Sequence, residues 1–107
     1  MDTTRETGRS GLSILHDAVR RKAYEMYQAK HWTNAEILLR GILCAEPEDA
    51  WSLALYASVL RNQQRYREAL ELIERAFALA PADDNILAMR SELHDYLRQL
   101  SNDRRAH

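Results

Sequence analysis

A chain that repeats itself at a fixed offset buries its apolar faces by stacking like units, and this sequence repeats at an offset of 34 residues. At that shift Pro47 falls on Pro81, Ala35 on Ala69, Ala23 on Ala57, Leu38 on Leu72, Leu39 on Ile73, Met26 on Leu60 and Trp32 on Tyr66. Between these landmarks apolar residues recur at helical spacing, as in Leu12, Leu15, Val19, Ala23, Met26 and Tyr27. With only 3 Gly and 2 Pro, a turn-rich β fold is excluded and the chain is expected to be all-α with five helices.

The first helix is expected from Leu12 to about Ala29, and the second from an N-cap at Thr33 to the stop at Glu46-Pro47. The third spans Asp49 to about Asn62, and the fourth Tyr66 to Leu79. The fifth runs from an N-cap at about Asp83 to Leu100. Residues 1–11 are polar and aperiodic and read as a disordered arm, 12–100 as the helical domain and 101–107 as a frayed tail.

At 107 residues the chain is long enough for one core and too short for a multidomain enzyme. Lys+Arg 15 against Asp+Glu 16 leaves a net charge of -1, without the positive field that drives nucleic-acid binding. The lone Cys44 allows neither an intrachain disulfide nor a thiolate zinc site, which fits a reducing cytoplasm. No apolar run approaches the ~20 residues of a membrane helix, and the opening Met-Asp-Thr-Thr-Arg-Glu has no apolar signal core.

Catalysis finds little footing. His16, His31, His94 and His107 make no metal-binding spacing, and no glycine-rich phosphate loop or Gly-x-Ser-x-Gly elbow is present, so no enzyme activity, cofactor or metal is expected. Cys44, at the end of an apolar helix, reads as a buried inert thiol rather than a nucleophile. His94 reads as a satisfied interface histidine, and His31 as a favourable charge at the carbonyl end of the first helix. Arg20-Arg21-Lys22 reads as a solvated face, with Asp17 and Arg21 paired at i,i+4, ahead of an anion patch.

Tyr66-Arg67-Glu68-Ala69-Leu70, followed by Ala76 and Leu79-Ala80-Pro81, resembles the second half of a tetratricopeptide repeat. Ala23, Ala57 and Ser91 match the small position where paired helices approach, and Ala35 and Ala69 match the facing contact. The resemblance covers Leu12 to Leu100 and implies about two and a half repeats in a short right-handed solenoid. Repeat one is His16 to Asp49, repeat two Ala50 to Asp83, and a solvating helix follows. A plain helical hairpin bundle is the alternative. Lys22 and Arg90 stand where the family places apolar residues, and Lys30 and Gln64 replace its turn glycine, so the outer edges are expected to pack irregularly.

On the repeat register the first helix of each pair lines a concave surface. That surface is expected to carry Arg20, Tyr24 and Tyr27, then Trp51, Ala54, Leu55, Ser58 and Arg61, then Asn85, Ala88, Met89 and Glu92. The mixture of Trp, Tyr, Met and Arg favours protein recognition, although Trp51 and Leu55 could equally be packed against their neighbours. The family's carboxylate clamp for chaperone tails requires basic and amide residues at set positions. This chain has Arg20 but Tyr24, Leu55, Asn85 and Met89 there, so an apolar helix or extended segment is the expected occupant.

Asn34-Ala35-Glu36-Ile37-Leu38-Leu39 through Glu46-Pro47-Glu48 resembles the first repeat of small type III secretion chaperones. The resemblance implies a cytoplasmic, non-enzymatic holdase for a secreted or export-apparatus protein. A homo-oligomeric scaffold and a peptide-binding regulatory domain are the alternatives. Because arrays generally need about three repeats, the chain is expected to be marginal alone and to pair with a client or as a homodimer.

Overall fold

The computed structural model describes the backbone of residues 3–106 and the side chains of residues 14–104. Among the described residues five helices follow one another without strands: α1 (Thr3–Gln28), α2 (Trp32–Ala45), α3 (Ala50–Asn62), α4 (Tyr66–Leu79) and α5 (Asp84–Ala106). Each packs chiefly on its neighbours in sequence, and α1 also reaches α3, the contact pattern of stacked hairpins in a solenoid.

The offset seen in the sequence is carried into the geometry of the turns. Lys30 and Gln64 each adopt φ 64°. The His31 N–H donates to the Met26 carbonyl at 2.8 Å, and the Arg65 N–H to the Leu60 carbonyl at 2.9 Å. The Lys30 and Gln64 N–H groups donate three residues back, to Tyr27 and Arg61, each at 3.0 Å. Both hairpins therefore close with a left-handed Schellman turn in which a lysine and a glutamine hold a glycine conformation. This geometry also moves the start of α2. Its N-cap is His31 rather than Thr33, because the His31 carbonyl already accepts the Ala35 N–H at 3.0 Å and Thr33 falls inside the helix. His31 makes no side-chain cap bond to α2, and its backbone N–H closes the end of α1.

Inside the hairpins the same three positions are buried in both second helices: Ala35, Leu39 and Ile42 in α2, and Ala69, Ile73 and Ala76 in α4. Ala23 and Ala57 have no exposed surface, as close approach of paired helices demands. Two cores result, and α3 belongs to both. Leu55 and Val59 pack with Ala23, Ala35 and Leu39, whereas Leu53, Ala57 and Leu60 pack with α4 and with Ile86 and Leu93 of α5. Outside the first core the Tyr56 hydroxyl donates to Glu36 at 2.9 Å. Burial and that hydrogen bond push the Tyr56 phenol up to about 12.

Four expectations are corrected. Helix α1 starts at Thr3 rather than Leu12, so the segment read as an arm has helical backbone from Thr3 onward; its side chains lie outside the described residues. Helix α5 likewise continues through the expected tail to Ala106. Extending a formed helix adds one hydrogen bond for each residue fixed, whereas starting one is costly, so polar flanks follow the amphipathic segment. Cys44 is exposed rather than buried, because it lies two residues beyond the inward-facing Ile42, on the opposite side of α2. Asp17 pairs with Arg20 at 2.8 Å rather than with Arg21.

The irregular family positions mark the ends of the stack. Arg21, Lys22 and Glu25 of α1 are exposed at the register that Leu55, Tyr56 and Val59 use to meet α2, where no earlier helix packs on the described residues. At the other end Arg90 lies 4.3 Å from the Phe77 ring centroid and donates to Glu74 at 2.7 Å. His94 shares that Glu74 oxygen at 2.9 Å and bridges α4 and α5, in keeping with its reading as an interface residue.

Candidate functional site

Three alternate helices, α1, α3 and α5, build one concave surface with an open groove of about 640 Å³. Its lining includes Tyr24 and Tyr27 of α1, Trp51, Ala54, Leu55, Ser58 and Arg61 of α3, and Asn85, Ala88, Met89 and Glu92 of α5. All were expected from the repeat register. Asp83 and Ile86 also line the groove, and the register gave no sign of them, because their equivalents Asp49 and Ser52 lie outside the lining.

The floor and walls of the groove do different work. Leu55 and Ser58 are buried, and Leu55 belongs to the core shared with α2, so its first duty is packing. Trp51 is 45% exposed and Tyr24 43%, large aromatic surfaces left open to solvent. Tyr24 stacks on Tyr27 with ring centroids 6.1 Å apart and meets Trp51 at 6.5 Å. Tyr27 is held from behind by the edge of Trp32 at 5.6 Å. Across the groove Ser58 contacts the Met89 sulfur at 3.8 Å, and Arg61 donates to Glu92, tying α3 to α5.

Arg20 is the one expected groove residue absent from the lining, and this reading is corrected. Its guanidinium donates to Asp49 at 2.7 Å, to Glu46 at 2.6 Å and to Asp17 at 2.8 Å. Three carboxylates converge on it from α1 and the α2–α3 loop, which fixes it as a tie between the hairpins. The hydrogen bond to Asp49 raises its pKa. Burial acts to raise the Asp49 carboxyl, but hydrogen bonds from Ser52 and Arg20 together with the Arg20 charge hold it below its ordinary value. His16 joins the cluster through Glu46.

Asp49 and Asp83 stand one repeat apart at the starts of α3 and α5, and they behave differently. Asp83 accepts the Asn85 and Ile86 N–H groups at 2.9 and 3.1 Å, the N-cap expected from the sequence. Asp49 makes no side-chain cap bond to its helix; its carboxylate takes the Ser52 hydroxyl at 2.6 Å and Arg20 instead.

Among the described residues no group of three or more His, Cys, Asp and Glu side chains could hold a metal ion. No helix among them is long and apolar enough to cross a membrane.

With this geometry in place, comparison with known families finds the tetratricopeptide repeat over residues 50–93, spanning α3, α4 and the first part of α5. The match covers less of the chain than the resemblance drawn from Leu12 to Leu100. Tetratricopeptide repeats generally mediate protein–protein interaction and are typically non-catalytic. No curated protein matches the chain.

Proposed function

We propose that the chain is a non-enzymatic holdase whose concave groove takes an apolar helix or extended segment of a protein client. The observation that carries this reading is the open aromatic wall of Tyr24 and Trp51 above a packed floor of Leu55 and Ser58. Large aromatic side chains half exposed over a concave surface lose water when a partner arrives, and they dominate the energetics of such interfaces. The finer assignment, to a chaperone for a type III secretion component in the bacterial cytoplasm, rests on the resemblance of residues 34–48 to the first repeat of those chaperones.

Affinity capture of the tagged chain from its native cells, with mass spectrometry and light scattering of the eluate, tests both levels. A stoichiometric small secreted or export-apparatus protein is the expected outcome, and Trp51→Glu should lose it while helicity is retained. Leu55→Glu is unsuitable as the probe, because Leu55 is core and its change would unfold the first hairpin. Normal client recovery with Trp51→Glu overturns the groove reading. Recovery of the chain alone as a defined dimer moves the function to a self-associating scaffold, for which Ile14 and Leu15, exposed at 66% and 58% on α1, offer a surface.

A further inference from the structure

The charge around the aromatic wall is one-sided. One guanidinium lines the groove, Arg61, and it is already engaged by Glu92; Arg20, outside the lining, is held by Asp17, Glu46 and Asp49. Asp83 lines the same groove, where its carboxylate meets backbone N–H groups and, among the described residues, no cation. The N-termini of α3 and α5 also face this region, but a terminus is equivalent to about half a charge. Each is accompanied by its own aspartate, Asp49 or Asp83. Among the lining residues two carboxylates, Asp83 and Glu92, thus stand against one guanidinium, Arg61.

Beside this excess lies the corner formed by Tyr24, Tyr27 and Trp51. Aromatic faces attract cations within about 6 Å of the ring centroid, most strongly for Trp, and the attraction grows when a partner displaces water. The chain already uses this contact where Arg90 lies over Phe77 at 4.3 Å. At the Tyr24–Trp51 corner the rings are open, and among the described residues no cationic side chain occupies them.

We infer that the client segment presents an arginine or lysine to the corner of Tyr24, Tyr27 and Trp51, so that the groove selects a cationic amphipathic segment over an acidic or neutral one. The inference rests on the proposed groove reading and specifies its ligand. Apolar side chains of the segment lie over Ala54, Leu55 and Met89, and the positive group enters between aromatic faces under a negative field. An acidic segment would bring its carboxylates to Asp83 and Glu92, with the lining guanidinium, Arg61, already paired.

The test selects short peptides from a random displayed library on the full chain, with Trp51→Leu as the counter-selection. A selected peptide is then resynthesised with citrulline for arginine, or norleucine for lysine. Binding is measured by fluorescence anisotropy on the wild type and on Tyr24→Leu. The expected result is enrichment of Arg or Lys, about tenfold weaker binding of the neutralised peptide, and a much smaller ratio on Tyr24→Leu. Enrichment without a cation, enrichment of Asp or Glu, or a ratio unchanged by Tyr24→Leu overturns the cation inference and leaves the groove reading intact. Failure to enrich any peptide that depends on Trp51, with the wild type shown folded by circular dichroism, overturns both.

Discussion

The two hairpins share a register and a turn, yet they are supported differently. Helices α3 and α4 have neighbours on both sides, and their core takes Ile86 and Leu93 from α5. The α1–α2 pair has one neighbour, α3, and two of the five buried residues in its core, Leu55 and Val59, belong to that helix. The same 34-residue pattern therefore yields an inner unit packed on both faces and an outer one that borrows its floor. In a stack held by nearest-neighbour interfaces, the outer unit opens first and α3 is the element both depend on.

The sharpest way to break that comparison is to empty one core at a time. Leu53→Ala should destabilise by about 3–4 kcal/mol and Leu39→Ala by about 2–3 kcal/mol. Hydrogen exchange should show Leu39→Ala releasing α1 and α2 while α3 and α4 stay protected. Equal protection loss in all four helices would mean that the two hairpins unfold as one unit.

A smaller effect separates the two aspartates. Asp49→Asn removes the charge that meets Arg20 and should cost about 1–2 kcal/mol. Asp83→Asn should cost about 0.5 kcal/mol or less, since asparagine caps a helix about as well. Because folding lowers the Asp49 pKa, its carboxylate contributes stability that is fully present above its ordinary value near 3.8 and is lost as pH falls through the lower folded value. Urea titrations of wild type and Asp49→Asn should therefore differ at neutral pH and converge at acid pH, and a difference that persists in acid would remove the Arg20 tie as its cause.

The smallest effect should be the same at both hairpins. Lys30→Gly and Gln64→Gly each relieve a left-handed residue at φ 64° and should stabilise by about 0.5–1 kcal/mol, read as a rise in Tm. A gain at Gln64 but none at Lys30 would show the first turn to be strained differently, and would extend the contrast between the hairpins to their turns.

Much of the architecture was legible because it is local. The spacing of Ala35, Leu39 and Ile42, repeated in Ala69, Ile73 and Ala76, needs only helical periodicity and an offset to be read as two equivalent inner faces. The groove roster followed for the same reason: once α1, α3 and α5 are equivalent, the positions of Tyr24, Ser58 and Glu92 on the concave side are fixed by counting. The exposure of Cys44 was also recoverable from the angle between it and Ile42, and reading it as buried gave weight to residue type over helical face.

The sequence by itself determined the repeat, the five-helix order, the close-approach alanines and most of the residues that line the groove. Only the tertiary structure decided that Arg20 turns away from the groove to meet three carboxylates, that Asp49 takes Arg20 and the Ser52 hydroxyl while Asp83 takes backbone N–H groups, and that Leu55 is floor while Trp51 is wall. The reason is physical. Periodicity places a residue on a face through its own helix alone, whereas the partner a long polar side chain takes, and the surface a large ring keeps, depend on how closely the next helix approaches.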